Sequence, residues 1–184
     1  MDVQLHNGTQ IEIRPIRSDD HERLRNSHAR LSPETQYRRF LGIKPELTSA
    51  DVHYLVDIDG ADHVALVATD GDEIVAVARF VRLHDDPRTA EFAIVVGDAY
   101  QRQGLGTELL QRLAGTARRR GVTRFVATIL ADNLAIHRLM GSVAAAPPLE
   151  RRLGTVSEVE LELAVSAPDV SPAAPAMIAG CAGG

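Results

Sequence analysis

The sequence has little of several residue types, and each shortage excludes a class of protein. It contains no tryptophan and only 4% aromatic residues among its 184 residues, so a core must consist mainly of aliphatic side chains. Its single cysteine, Cys181, excludes an intrachain disulfide and a thiolate ligand set. No apolar run approaches the roughly 18–20 residues that span a bilayer. Residues 1–17 also lack the basic and then apolar layout of a signal peptide. We therefore expect a cytoplasmic protein with no membrane partner.

The charged residues and the histidines exclude two further classes. The net charge of -5 argues against a nucleic-acid partner, because nucleic-acid-binding proteins usually carry a basic excess. The seven histidines are scattered along the chain and show no metal-ligand spacing, so the sequence predicts no metal site.

The composition changes near the end of the sequence. Residues 166–184 are rich in Ala, Pro and Gly and offer few bulky apolar side chains, which predicts a flexible tail. Residues 8–165 are then long enough to form one domain with a single core.

Hydrophobic patterns predict a mixed series of strands and helices within that domain. Strands are indicated at 11–14, 63–68, 74–81, 89–96, 125–130 and 156–163. A hairpin is indicated by Asp70-Gly71-Asp72. Helices are indicated at 20–31, from Pro33, from a cap at Ser49 to Val56, at 104–120 and from Asn133 to Met140. This order predicts an α/β (α+β) fold with a mixed, mostly antiparallel sheet flanked by helices.

The segment Gln101-Arg102-Gln103-Gly104-Leu105-Gly106-Thr107 follows a predicted strand and opens an amphipathic helix. The first amides of a helix have no intrahelical partner and lie at the positive end of the helix dipole, so they can bind an anion. The segment lacks the third glycine of a dinucleotide fingerprint and the Gly-Lys-Ser/Thr of a P-loop. From the residues alone, a glycine-rich helix entrance without a ligand remains an alternative.

This segment also fits the Q/R-x-x-G-x-G/A coenzyme A signature, and the chain resembles the GNAT superfamily of N-acetyltransferases over most of residues 11–165. Two further stretches, Ala90-Glu91-Phe92-Ala93 and 32–40, resemble the acetyltransferase domain of bacterial protein lysine acetyltransferases. The resemblance implies acetyl-CoA as the acetyl donor. It implies that the pantetheine amides contact the backbone of Ile94, Val95 and Val96, that the amides of residues 101–107 hold the diphosphate, and that Asn133 contacts the cofactor arm.

Glu91 is the candidate catalytic base. It is the only ionisable residue in residues 91–96, and a carboxylate can accept the proton that an ammonium group must lose before the nitrogen attacks. In the lysine acetyltransferases that the chain resembles, the glutamate of this stretch is the base. The alternative is a solvated residue at the start of its strand.

A general acid is harder to assign. Many GNAT enzymes have a tyrosine seven residues after the position of Asn133, where this sequence has Met140. For Tyr100, the alternatives are a substitute acid and a packing residue. For Arg38-Arg39, they are binding of an anionic substrate and a solvated helix surface. The sequence therefore predicts an acetyl-CoA-dependent N-acetyltransferase whose acceptor is an amine, first a protein lysine. The alternatives are a small-amine acetyltransferase and a non-catalytic acetyl-CoA sensor.

Overall fold

The computed structural model describes residues 2–164, so the tail predicted at 166–184 lies outside the described residues. Eight strands are present in this part of the chain: β1 (Asp2–Gln4), β2 (Gln10–Pro15), β3 (His63–Asp70), β4 (Glu73–Arg82), β5 (Thr89–Val96), β6 (Arg124–Leu130), β7 (Leu149–Leu153) and β8 (Val156–Glu162). The five α-helices are α1 (His21–Ala29), α2 (Pro33–Phe40), α3 (Ser49–Val56), α4 (Leu105–Arg119) and α5 (Leu134–Gly141).

The strands form one mixed sheet in the order β1-β2-β3-β4-β5-β6-β8-β7. Every neighbouring pair is antiparallel except β5 and β6, which are parallel because helix α4 carries the chain back between them. The hairpin predicted at Asp70-Gly71-Asp72 is confirmed, since Asp70 pairs with Glu73 and leaves a two-residue turn. The predicted fold class is confirmed.

Both faces of the sheet are covered. On one face, α4 buries its apolar stripe, including Leu109 and Leu113, against Phe80 and Phe125 of β4 and β6. On the other face, a smaller cluster joins Leu24 of α1 and Val52 of α3 to the sheet. The four-residue spacing of leucines in α4 therefore matches the face that the helix buries.

Strands β5 and β6 are paired over only part of their length. The pairing runs from Thr89 opposite Arg124 to Glu91 opposite Val126 and then stops. Strand β6 continues alongside β8 as far as Leu130. The two parallel strands thus separate after Glu91, and the edge of β5 from Phe92 to Val96 has no strand beside it on that side.

The structure differs from the sequence-based expectations at three places. Helix α3 is capped by Thr48 and not by Ser49, because the Thr48 hydroxyl accepts a hydrogen bond from the Asp51 amide at 3.1 Å. The patterns missed β1, which extends the sheet upstream of residue 8, and β7, whose five residues are all exposed. No helix within residues 2–164 is long and apolar enough to cross a membrane.

Candidate active site

A cleft of about 540 Å³ opens where β5 and β6 separate, between the start of α4, α5 and α2. Nine of the predicted cofactor-binding residues line it: Ile94, Val95, Val96, Gln101, Arg102, Gly104, Gly106, Thr107 and Asn133. The fold thus brings together residues that are far apart in the sequence. The other two predicted residues, Gln103 and Leu105, do not line the cleft. The Gln103 side chain donates to the Ala99 carbonyl at 2.8 Å, and Leu105 is fully buried in the core.

The entrance of α4 offers a row of unpaired backbone amides. Within the described residues, none of the amides from Arg102 to Thr107 donates a hydrogen bond, and the first intrahelical bond runs from the Glu108 amide to the Gly104 carbonyl at 3.1 Å. Consecutive free amides at a helix N-terminus form a binding site for a phosphate group. Gln103 and Leu105 contribute to this site through their backbone, although their side chains point elsewhere.

Two glycines shape this entrance for different reasons. Gly104 has φ +88°, a conformation that side chains with a Cβ disfavour. A Cβ there would also lie 3.3 Å from the His6 Nε2 atom. Gly106 has ordinary helical geometry, but a Cβ at this position would meet the Leu139 side chain of α5 at 3.3 Å. Gly104 thus sets the turn, whereas Gly106 lets α5 approach α4 closely.

The backbone of β5 alternates between its two neighbours. The Gly97 amide donates to Val75 of β4, and the backbone groups of Val95 point to the same side as those of Gly97. The groups of Ile94 and Val96 therefore point towards the gap. The Val96 carbonyl accepts a hydrogen bond from the Gln101 side chain at 3.0 Å. Of the three residues predicted to contact pantetheine amides, Ile94 and Val96 are the two positioned to do so through the backbone.

Asn133 lies at the opposite wall of the cleft and caps α5. Its side-chain oxygen accepts a hydrogen bond from the Ile136 amide at 3.3 Å, so its position is fixed by the helix start. Its side-chain nitrogen donates no hydrogen bond within residues 2–164, so it is available to a ligand in the cleft.

A carboxylate that the sequence patterns did not reveal holds α2 against residues 97–104, the loop between β5 and α4 that we call the cofactor loop. Asp98 accepts hydrogen bonds from the Ser32 amide at 2.9 Å, the Ser32 hydroxyl at 2.7 Å and the Thr35 hydroxyl at 2.7 Å. Gln101 adds a fourth link by donating to the Thr35 hydroxyl at 3.2 Å. Partial burial acts to raise the pKa of Asp98, but these hydrogen bonds outweigh it and lower the pKa. No sequence motif indicates this contact, because its partners are more than sixty residues apart.

Glu91 lies at the point where β5 and β6 separate. It is exposed, and it makes no ion pair or side-chain hydrogen bond in the part of the chain that the structure describes. It lines a second open cavity of about 510 Å³ on the β6, β7 and β8 side, together with Glu150, Glu158, Glu160 and Arg151. Glu91 and Ile94 are three residues apart on one strand, which corresponds to roughly 10 Å. The two cavities thus reach the same short stretch of β5.

This arrangement can be compared with known proteins. The sequence profile of the Acetyltransferase (GNAT) family matches residues 22–142, which is more than half of the chain. The chain belongs to the GNAT acetyltransferase family. The resemblance stated from the sequence and the expectation of a GNAT N-acetyltransferase are confirmed at the level of the family.

Three relatives of this GNAT chain have a similar sequence or structure. It is 39% identical over 145 residues to Acetyltransferase Pat of Mycolicibacterium smegmatis, covering 78% of this chain and 43% of that protein. It is 36% identical over 139 residues to Acetyltransferase PA5475 of Pseudomonas aeruginosa, covering 73% of this chain and 74% of that protein. The crystal structure of the GNAT domain of S. lividans PAT superposes with a TM-score of 0.80 at 34% identity, covering 89% of this chain and 96% of that one. The chain therefore spans less than half the length of the Mycolicibacterium smegmatis protein.

The position of a general acid in this GNAT domain is occupied by an apolar residue. Met140 is fully buried in the core and has no proton to donate. The phenol of Tyr100 donates to the Asp70 carboxylate at 2.9 Å. Burial and this carboxylate raise the pKa of Tyr100. Tyr100 is therefore engaged at the β3–β4 hairpin and does not serve as a substitute acid.

One group of three possible metal ligands occurs among residues 2–164, although the scattered histidines predicted none. The His21 Nε2 atom lies 3.0 Å from one Asp57 oxygen, and the His53 Nδ1 atom lies 2.7 Å from the other. Because both carboxylate oxygens already face imidazole nitrogens, the group forms a compact polar link between α1 and the end of α3.

Proposed function

We propose that this GNAT domain is an acetyl-CoA-dependent N-acetyltransferase that acts in the cytoplasm on an amine, first of all the side chain of a protein lysine. The observation on which the proposal depends is the row of unpaired amides from Arg102 to Thr107 at the end of a cleft between separated strands. That row fits a diphosphate, and the open edge of β5 fits the amides of a pantetheine arm. GNAT enzymes use acetyl-CoA, so both fits point to the same donor.

The reaction requires an uncharged amine. A lysine side chain has a pKa of about 10.4, so removing its proton at pH 7 costs roughly 4–5 kcal/mol. Glu91 accepts that proton, directly or through one water molecule. The nitrogen then attacks the thioester carbonyl carbon, and a C–N bond forms as the C–S bond breaks. The attacking nitrogen gives up one further proton to solvent, and the thiolate leaves as coenzyme A. Because Met140 and Tyr100 are both unsuited to protonate the thiolate, the proton comes from solvent.

The cavity around Glu91 supports a cationic acceptor. Its lining contains four carboxylates, Glu91, Glu150, Glu158 and Glu160, and one arginine, Arg151. Arg124 pairs with Glu160 at 3.1 Å from outside the lining, so carboxylates still outnumber arginines here. A cleft that holds an excess of one charge raises the local concentration of ligands of the opposite charge. An ammonium group on a flexible side chain fits this lining, and the exposure of β7 beside it leaves room for a macromolecular acceptor.

The experiment is an acetyl-transfer assay that compares the wild type with Glu91→Gln on a panel of lysine-containing proteins and small amines. We expect kcat to fall about 100-fold or more, in the range of general-base catalysis, while the Kd for acetyl-CoA stays the same. The difference in kcat between the wild type and Glu91→Gln becomes smaller as the pH approaches the pKa of the amine. A matched control is Glu73→Gln, because Glu73 is an exposed β4 glutamate outside both cavities that faces Arg30 at 3.5 Å. Transfer that is unaffected by Glu91→Gln removes this residue from the mechanism.

The chain itself offers a simple background control. Lys44 is its only lysine and is ion-paired with Asp51 at 2.8 Å. Self-acetylation on a side chain is therefore confined to one residue, and Lys44→Arg removes it. A signal that remains in this variant comes from the added acceptor or from the α-amino group.

A second candidate is a non-catalytic acetyl-CoA sensor, which is favoured by the buried Met140 in the place of a proton donor. It predicts tight acetyl-CoA binding with no transfer to any protein or small amine. Transfer to small amines alone identifies a small-amine acetyltransferase instead.

A further inference from the structure

Two arginine side chains lie close together on the face of the sheet that α1, α2 and α3 cover. Arg79 of β4 is only 6% exposed, and Arg39 reaches the same region from α2, with its guanidinium carbon 4.9 Å from the Phe40 ring centroid. Within residues 2–164, neither arginine forms a salt bridge. The sequence left the role of Arg39 open between anion binding and solvation, and the structure places this side chain partly buried against the Phe40 ring.

Arg79 is in hydrogen-bond contact with two groups, a backbone carbonyl and an imidazole. Its Nη1 atom donates to the Leu55 carbonyl at 3.1 Å and lies 3.1 Å from His63 Nε2. Burial, and then the charge of Arg79, lower the pKa of His63, which favours the uncharged imidazole. The Nη2 and Nε atoms of Arg79 donate no hydrogen bond in the described part of the chain.

The two arginines also affect each other. Burial, followed by repulsion from Arg39, lowers the pKa of Arg79 to about 9, which leaves it protonated at pH 7. Burial lowers the pKa of Arg39, while Glu91 and Tyr54 act to raise it. Arg79 is therefore a buried positive charge without a salt bridge, and a buried charge that lacks a paired anion is unfavourable. A bound anion would compensate both charges.

A small, partly open cavity of about 40 Å³ is lined by both arginines. Its apolar walls come from α1, α3 and the loops beside them, and its floor from Ala93 and Val95 of β5. Arg39 lines both this inner cavity and the 540 Å³ cleft at the entrance of α4. A cavity needs roughly 10–15 Å³ of such volume to hold one water molecule, so the inner cavity has room for a small group at the end of a chain and not for a nucleotide. A planar carboxylate matches the fork of donors on a guanidinium.

We infer that Arg39 and Arg79 form a carboxylate-binding subsite next to the reaction centre, filled by a carboxylate of a substrate. The carboxylate has two sources, the end of a dicarboxylic acyl chain on the donor, such as a succinyl group, or the carboxylate of an amino-acid acceptor. The inference rests on the proposed acyl transfer and extends it to the substrate class. With a dicarboxylic donor the same C–S bond breaks and the same C–N bond forms, so the reaction needs no further reactant.

The donor arm of the test compares succinyl-CoA with the uncharged butyryl-CoA. We expect the wild type to favour succinyl-CoA at least tenfold in kcat/KM and in Kd measured by calorimetry, as for one charge-assisted hydrogen bond or more. Arg79→Met and Arg39→Met remove that preference, and methionine fills a similar volume without burying a charge. Arg25→Met is the control, because Arg25 is an exposed α1 residue whose one ion pair within residues 2–164 is with Glu22 at 3.3 Å.

The acceptor arm uses acetyl-CoA and compares L-lysine with L-lysinamide. If the acceptor supplies the carboxylate, the ratio of the two kcat/KM values falls at least tenfold in both arginine variants and stays the same in Arg25→Met. A preference for a carboxylate in either arm that depends on the two arginines supports the subsite and identifies its source. If neither arm shows one while acetyl transfer proceeds normally, the subsite is overturned and the proposed function stands. If no acyl-CoA donor gives transfer to any acceptor, both the subsite and the proposed function are wrong.

Discussion

At the scale of single residues, Gly104 determines whether the amides of the α4 entrance point into the cleft. Its φ of +88° turns the chain immediately before the helix, and the neighbouring Arg102 also has a positive φ, of 59°. Two left-handed residues within three positions curve the backbone so that successive amides face one side. The sequence could point to this segment because the conformational requirement falls on the backbone, which glycine reveals directly; its binding of coenzyme A stays a prediction.

Gly104→Ala tests this turn. We expect the Kd for acetyl-CoA to rise about tenfold and the free energy of unfolding to fall by roughly 1–2 kcal/mol, since a left-handed residue with a Cβ is disfavoured by that amount. Calorimetric titration and urea unfolding measure the two effects.

The matched control is Gly141→Ala at the end of α5. Gly141 has no positive φ, and a Cβ there would meet nothing within 4 Å. We expect this variant to bind acetyl-CoA normally and to gain up to about 1 kcal/mol of stability. Equal effects of the two alanine substitutions would show that Gly104 has no special role in the turn.

At the scale of elements, the cofactor loop and α2 form one unit through Asp98. The carboxylate links the turn after β5 to the N-terminus of α2, where Ser32 also caps the helix by accepting a hydrogen bond from the Thr35 amide at 3.2 Å. Because α2 also carries Arg39, this link positions both the cofactor loop and the carboxylate subsite.

Asp98→Ala is expected to weaken acetyl-CoA binding several-fold and to lower stability by about 1–2 kcal/mol, because three hydrogen bonds to one partly screened carboxylate are lost. The control is Asp85→Ala, since Asp85 makes no ion pair or hydrogen bond within residues 2–164. If Asp98→Ala binds acetyl-CoA as tightly as the wild type, then the loop holds its shape without α2.

A buried ion pair fixes the start of α1 against the sheet. Arg14 of β2, 7% exposed, donates to both oxygens of the fully buried Asp20 at 2.7 and 2.8 Å. Burial acts to raise the pKa of Asp20, but the hydrogen bonds from Arg14 and from the Arg17 amide outweigh it and lower the pKa. The sequence indicated only a helix start with acidic residues here, because a partner six residues upstream leaves no local signature.

Asp20→Asn leaves the Arg14 charge buried and unpaired, so we expect a loss of about 3–5 kcal/mol of stability at pH 7. The stabilisation from a lowered pKa is complete above the ordinary pKa of about 3.9 and disappears as the pH falls through the folded-state value. The difference between wild type and variant in urea unfolding therefore shrinks below about pH 4. The exposed pair of Arg25 and Glu22 is the control, since Glu22→Gln changes stability by no more than about 0.5 kcal/mol. A pH-independent difference would contradict this account.

At the scale of the whole molecule, the sequence predicted the elements that bury a regular apolar face. Leu109 and Leu113 predicted α4, and the apolar run of β5 predicted a central strand, because burial imposes periodicity on the sequence. Strand β7 was missed since all five of its residues are exposed, so no alternation marks it. The separation of β5 and β6 was equally hidden, because it depends on pairing between distant segments.

The residues of the candidate site also fall into two groups, those that a local sequence pattern indicates and those that only the fold brings together. The glycine segment and Glu91 could be proposed from the sequence because their chemistry is concentrated in a few neighbouring residues. Asp98, Arg79 and the inner cavity were missed because each depends on contacts across the fold that no local pattern records. Val95 was assigned a backbone contact that the strand alternation instead gives to Ile94 and Val96.

The most direct test of this account is a crystal structure of the complex with coenzyme A. We expect the diphosphate oxygens to lie within about 3.2 Å of the backbone nitrogens between Arg102 and Thr107, with the pantetheine arm along Ile94 and Val96 in the gap beside β5. The account is contradicted if the diphosphate binds elsewhere on the chain, or if those amides remain unpaired while coenzyme A occupies another cavity.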